Sequence, residues 1–192
     1  MRRFSPATNT RPKIATMIGT RIFLTAALAL TTCSGALAQG AAKPSLVGTF
    51  SDWTMWSYSG SYNGNGDGKV CYIYSEPERM QPDKLDHGRV SFSVTVSPSQ
   101  GVGNEANFVA GYALKEQSPV TVDIDGKKFT MFTQGDSAWL VNKDDEAQLL
   151  AAMKNGKTMV VKATSRRGNQ TTYNYSLSGV TAASDKMIAE CP

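Results

Sequence analysis

The sequence predicts a mainly β fold: a single-domain antiparallel β-sandwich with one or two short helices. Three observations predict it. From Arg89 to Ser97 the chain alternates, with Val90, Phe92, Val94 and Val96 on one side and serines and Thr95 on the other, which is the period of a half-buried strand. Asp125-Gly126 sits between two strand-like runs, and this dipeptide tolerates the positive φ that a two-residue type I′ hairpin needs. Helical spacing is rare along the chain, too rare for a parallel α/β fold.

The chain opens with targeting chemistry. Arg2, Arg3, Arg11, Lys13 and Arg21 come before any acidic residue, an apolar run follows from Ile22 to Leu30, and small residues end in Ala36-Leu-Ala38. Basic, apolar, then A-x-A predicts a secretory signal peptide over residues 1–38, cleaved between Ala38 and Gln39, with the folded domain over residues 39–192. A membrane anchor is the alternative, but a spanning helix needs about 20 apolar residues and this run is far shorter. Met17 offers a more ordinary start than Met1. Cys33, after Leu30-Thr-Thr, loosely resembles a lipidation site, although Thr32 stands where a smaller residue is usual. The expected location is the periplasm or outer envelope.

Removing the leader changes the charge. It holds five of the 20 basic residues and none of the 16 acidic ones, so the remainder carries 15 against 16, a net charge of −1 rather than the +4 of the whole chain. Nothing in that balance points to nucleic acid. No transmembrane segment is expected in the mature chain. Cys71 and Cys191 remain, and an even pair in an oxidising compartment is expected to form a disulfide, with two buried thiols as the alternative.

Along the domain, residues 39–45 form an Ala/Pro/Gly-rich lead-in, and 50–58 is rich in aromatics. Residues 69–75 read as a strand of β-branched and aromatic residues, 89–97 as the alternating strand, and 107–114 as another. The Asp125-Gly126 hairpin spans 120–133, a short strand covers 137–141, and 157–164 and 170–177 flank a second hairpin turn at 165–169. Asn142 is placed to cap a helix over 143–155, with Asp144, Asp145 and Glu146 in its first turn, Gly156 beyond its end, and a stripe of Ala147, Leu150, Ala151 and Met153 or Lys154. A second helix over 180–191 sets Val180, Ala183, Met187 and Cys191 on one face, pinned to the strand of Cys71.

No catalytic constellation stands out. Asn63-Gly-Asn65-Gly-Asp67-Gly68 begins like an EF-hand loop, but Tyr74 occupies the position of the bidentate Glu, so a glycine-rich hairpin loop is the expectation and a weak calcium site the alternative. His87, the one histidine, reads as a surface-loop residue; no Gly-x-Ser-x-Gly elbow accompanies it. No metal, cofactor or catalytic residue is assigned. Among the clustered aromatics, Trp53 is expected in the core, leaving Trp56 and Tyr58 on the opposite strand face as a possible binding strip. Arg166 and Arg167 fall at a hairpin tip, solvated or in contact with an anion. Trp56, Tyr58, Arg166 and Arg167 are the candidate binding surface.

Five stretches resemble the invasion-associated locus B family of alphaproteobacterial envelope proteins: Phe50-Ser-Asp-Trp53, Lys69-Val-Cys-Tyr72, the run from Phe129 to Trp139, the run from Val161 to Gly168, and Glu190-Cys191. Their order and spacing cover nearly the whole mature chain. The resemblance implies a β-sandwich exported to the periplasm or outer envelope, and it transfers no catalytic residue. Many members place a Cys four residues after the motif's Trp; here that position is Ser57, so a second disulfide is not available.

The expected function is that of an exported, non-enzymatic protein that binds an envelope or host component. The alternatives are a periplasmic hydrolase of envelope glycans built on two carboxylates, and a structural or stress-protective envelope component.

Overall fold

The computed structural model describes residues 43–192. The expected cleavage site at Ala38 and Gln39, Cys33 and both candidate start residues lie outside the described residues. The strands are β1 (Ser45–Phe50), β2 (Trp53–Ser61), β3 (Asp67–Ser75), β4 (Arg79–Gln81), β5 (Ser91–Ser97), β6 (Val102–Val109), β7 (Val120–Ile124), β8 (Lys127–Gln134), β9 (Ser137–Leu140), β10 (Thr158–Thr164) and β11 (Gln170–Ser176). The helices are α1 (Asp145–Asn155) and α2 (Val180–Glu190).

The fold is antiparallel β with two short helices, as expected, but the two layers belong to one continuous sheet. Its strand order is β1-β2-β3-β5-β6-β9-β8-β7-β10-β11-β4. The sheet folds over on itself, so that β5 and β6 face β11 across the core. Phe92 meets Tyr175 edge-on at 6.1 Å and Phe108 meets Tyr173 at 5.5 Å. Trp53, fully buried on β2, donates its indole N–H to the Ser176 carbonyl on β11 at 3.0 Å.

Register fixes which residues share the inner face. Met55, Ile73, Val94 and Ala106 lie in one row across β2, β3, β5 and β6, and all are buried. Phe129, Val122, Val161 and Tyr173 form the matching row across the other layer. A slip of one residue would turn each row to the outside, so burial specifies the register.

The Asp125-Gly126 turn is a two-residue hairpin loop. Ile124 pairs with Lys127, and both turn residues have positive φ, 48° and 97°. The second expected hairpin joins β10 to β11, and the Asn63–Gly68 segment belongs to the hairpin between β2 and β3, where Ser61 pairs with Asp67.

Several elements differ from the sequence expectation. β1 begins at Ser45, where a lead-in was expected, and pairs with β2 through a bulge between Leu46 and Gly48. β4 is three residues long and caps the edge of β11. β6 runs from Val102 to Val109 rather than over 107–114. Just past its end, Gly111 packs directly on the backbone of residues 87–89. α1 starts at Asp145; Asn142 instead accepts the Asp144 N–H at 3.1 Å. Its buried face is Leu149, Leu150 and Met153, while Ala151 is exposed, because two leucines bury more apolar area than two alanines.

α2 buries Val180, Ala183, Ser184 and Met187 against β1, β2 and β3. Cys191, next after the helix, bonds to Cys71 on β3, closing a separation of 120 residues with a Cα–Cα distance of 6.1 Å. Lys69 on the same strand reaches Glu190 at 2.6 Å. No helix among the described residues is long and apolar enough to cross a membrane.

Candidate functional site

Two places gather the side chains that the core does not use. The first is the outer face of the sheet. Trp53 and Met55 point inward, so Thr54, Trp56 and Tyr58 point outward by strand parity. Across the β2–β3 pair, Trp56 stands opposite Tyr72 and Thr54 opposite Tyr74, which brings Tyr72 and Tyr74 onto the same face. Trp56 is steadied by its indole N–H, which donates to Thr54 Oγ1 at 2.9 Å. Tyr74 donates to Glu76 at 2.7 Å, and Arg89 donates to the same carboxylate oxygen at 3.1 Å. These bonds hold the Glu76 carboxyl below its ordinary value, Tyr74 first and Arg89 second. Burial pushes the phenols of Tyr58, Tyr72 and Tyr74 upward, so they remain donors. Trp56, Tyr72, Tyr74 and Arg89 line a groove of about 670 Å³.

The same face continues across the sheet to a second aromatic pair. Phe132 on β8 stacks on Trp139 on β9, with ring centroids 5.9 Å apart. Beside them is a hollow that also contains Glu105 and Glu146. Tyr62 donates to Glu105 at 2.6 Å. Glu146, in the first turn of α1, is pushed above its ordinary value by burial first; Lys143 opposes this and Glu105 adds to it.

The second place lies under the β10–β11 turn. A cavity of about 580 Å³ is enclosed by three segments far apart in sequence: residues 85–88, residues 111–113 and the turn itself. His87 forms part of its wall. The sequence placed this residue in an exposed loop, but only 6% of it is exposed. Its Nε2 lies 3.0 Å from the Pro82 carbonyl and its Nδ1 lies 3.0 Å from the Tyr173 hydroxyl. A carbonyl only accepts, so the neutral ring carries its proton on Nε2 and Nδ1 accepts from Tyr173. The Tyr173 hydroxyl lies 2.7 Å from that of Tyr112, which in turn lies 2.7 Å from that of Thr171; Thr171 also donates to the Ala163 carbonyl at 3.2 Å. A chain of four buried or half-buried polar side chains thus fixes one wall of the cavity.

The turn that carries Arg166 and Arg167 is braced on both sides. Arg166 N–H donates to the Ala113 carbonyl at 2.9 Å, Gly168 N–H to the Ser165 carbonyl at 2.8 Å, and Asn169 N–H to Ser165 Oγ at 3.0 Å. Both arginines line the cavity, and neither forms an ion pair among the described residues. The candidate binding residues therefore fall into two groups: Trp56 and Tyr58 on the outer face, Arg166 and Arg167 at the cavity. The sequence did not single out Tyr72, Tyr74, Tyr112 or Ser165; the first two follow from parity once β2 and β3 are paired.

The model of the family described as Invasion associated locus B (IalB) protein matches residues 56–188. The chain belongs to the invasion associated locus B family. The matched span runs from Trp56 on the outer face into α2, and so takes in both places described above. Among solved structures, the crystal structure of invasion associated protein B from Bartonella henselae is similar in fold, with a TM-score of 0.53 at 18% identity, over 76% of this chain and 98% of that one. No curated protein matches the chain. The Cys71–Cys191 bridge, just beyond the matched span at its C-terminal end, ties α2 to the sheet.

Proposed function

We propose that this protein is exported to the cell envelope, has no enzymatic activity, and acts by binding an envelope or host component through its outer aromatic face. The observation that carries this reading is the outward Trp56, paired with Tyr72 beside Tyr58 and Tyr74. Aromatic rings that pack no core and gather on one face are the usual anchors of recognition surfaces. Export is supported by the basic and apolar leader ending at Ala38, and by a disulfide of the kind that persists in oxidising compartments.

The test is site-specific crosslinking in intact cells. A photoreactive residue replaces Tyr58 on the face, and in a control strain it replaces Lys128 on β8. A discrete adduct from position 58 alone is the expected result. No adduct, or the same adducts from both positions, would overturn the reading. Protease treatment of intact against lysed cells then decides between the outer surface and the periplasm.

One observation favours a second reading, a carboxylate-based hydrolase of envelope glycans. Glu146, raised by burial, shares a hollow with Glu105 and the stacked Phe132–Trp139 pair, and glycoside hydrolysis uses two carboxyl groups in one cleft, the acid being raised above its ordinary value. Release of soluble fragments from purified envelope glycan by the native protein, abolished in Glu146→Gln, would establish it in place of the first.

A further inference from the structure

We propose that the cavity under the β10–β11 turn is a binding site for a small organic oxyanion, a carboxylate or phosphate carried on a body of about monosaccharide size. The inference does not depend on the outer aromatic face. It rests on which polar groups around the cavity are free and which are already engaged.

The free groups are donors. Ser165 is more than nine-tenths buried, lines the cavity, and accepts from Asn169 N–H, yet its own hydroxyl proton meets no acceptor among the described residues. Asn169, Arg166 and Arg167 also line the cavity, and their side chains have no partner among the described residues. Several of the acceptors are occupied. Asp86 turns one carboxylate oxygen to Gly88 N–H at 2.9 Å, and the hydroxyls of Tyr112 and Thr171 are committed to the chain that ends at His87. With the Ser165 hydroxyl proton and two guanidinium groups free, spare side-chain donors outnumber the spare side-chain acceptors, Asn169 Oδ1 and the rest of the Asp86 carboxylate, and such a site favours a ligand rich in lone pairs. Two guanidinium groups at its rim select negative charge.

Shape supports the same class. A volume of about 580 Å³ falls in the range of small-molecule sites, roughly 300–1,000 Å³. Leu85, Ala113 and the Tyr112 ring supply apolar wall for the body of the ligand. The wall is fixed before any ligand arrives. Gly88 and Gly111 pack backbone on backbone, closer than a Cβ on Gly111 would permit, and the arginine turn is held by the Ala113 carbonyl. A site held in place by its surroundings loses little order on binding.

The test is calorimetric titration of the protein, as cells produce it, with glucuronate, glucose 6-phosphate and neutral glucose. At least one charged sugar should bind with a Kd below about 1 mM, and glucose should bind at least about tenfold more weakly. Binding of glucuronate alone would assign the site to carboxylates, and of glucose 6-phosphate alone to phosphates. The double variant Arg166→Ala, Arg167→Ala should weaken binding by about tenfold or more with an unchanged melting temperature, since both side chains are exposed. Ser165→Ala should weaken it by a smaller factor, and Trp56→Ala should leave it unchanged, which keeps this site separate from the outer face. The proposal fails if neither charged sugar binds at about 10 mM, if glucose binds as well as they do, or if the double arginine variant keeps its affinity.

Discussion

Tyr173 and Tyr175 enter the core from successive inward positions of β11, yet only one of their hydroxyls is partnered. That of Tyr173 lies 3.0 Å from His87 Nδ1 and 2.7 Å from Tyr112, while that of Tyr175, on a residue 1% exposed, meets no hydrogen-bond partner. Burial pushes both phenols well above their ordinary range, so both stay protonated. The same substitution should therefore act in opposite directions. Tyr173→Phe leaves His87 Nδ1 without a donor, takes one of the two partners from the Tyr112 hydroxyl, and should cost about 1–3 kcal/mol. Tyr175→Phe removes a desolvated hydroxyl that bonds to nothing and should stabilise by about 1 kcal/mol. Urea unfolding of the two variants beside the parent protein checks both signs, and equal losses would mean that the Tyr175 hydroxyl finds a partner in solution.

The disulfide should be the largest single local contribution to stability. A loop closed over 120 residues is worth about 4–5 kcal/mol in the chain-entropy model. The exposed Lys69–Glu190 pair beside it cannot replace that contribution, because salt and water screen it. Cys191→Ser should lower the melting temperature strongly, and hydrogen exchange should show α2 losing protection before β3 and β5. Uniform loss across the sheet would mean instead that α2 holds its place by packing alone.

Local chemistry explains how much of this fold was legible. The β5 alternation and the Asp125-Gly126 turn are signals contained in a few neighbouring residues, and both elements formed where expected. The parity of Trp53 against Trp56 is equally local, so the outer strip was visible from one strand. Its partners Tyr72 and Tyr74 needed the pairing of β2 with β3, which no spacing within either strand specifies. β4, with three residues, is too short to show a period. The cavity under the β10–β11 turn draws on segments near residues 87, 112 and 166, which only the folded sheet brings together. His87 looked like a loop residue because Asp86 and Gly88 flank it; its burial comes from Tyr173, far along the chain.

Asp125 links the β7–β8 turn to the start of the neighbouring strand β10, and acid should reveal it. Its carboxylate accepts from Lys157 N–H at 2.7 Å and from the Thr158 hydroxyl at 2.9 Å. The Lys157 backbone bond, then the Thr158 hydroxyl, hold its pKa below the ordinary carboxylate value. A folded pKa below the unfolded one gives stability that is present above the unfolded value, about 3.9, and is lost as pH falls through the lower folded value. Asp125→Asn keeps a residue that tolerates the positive φ of this turn but removes the charge. The variant should be less stable than the parent at neutral pH, and the difference should shrink as pH falls below about 4. Denaturation curves collected from pH 2 to 7 measure it; a constant difference would assign the effect to the turn rather than to the carboxylate.

Trp53 and Trp56 sit three residues apart on one strand, and their substitutions should separate folding from recognition. Trp53 is fully buried and bridges the two layers through its bond to the Ser176 carbonyl. Trp53→Ala should cost about 3–5 kcal/mol, as other large buried aromatics do, and lower the yield of folded protein. Trp56 faces outward and donates only to its neighbour Thr54. Trp56→Ala removes less buried area and should cost about 1 kcal/mol. If the outer face is the binding surface, the adduct trapped from position 58 should disappear in Trp56→Ala although the protein is still folded. Retention of the adduct in that variant would move the contact away from the Trp56–Tyr72 pair and toward the Phe132–Trp139 end of the same face.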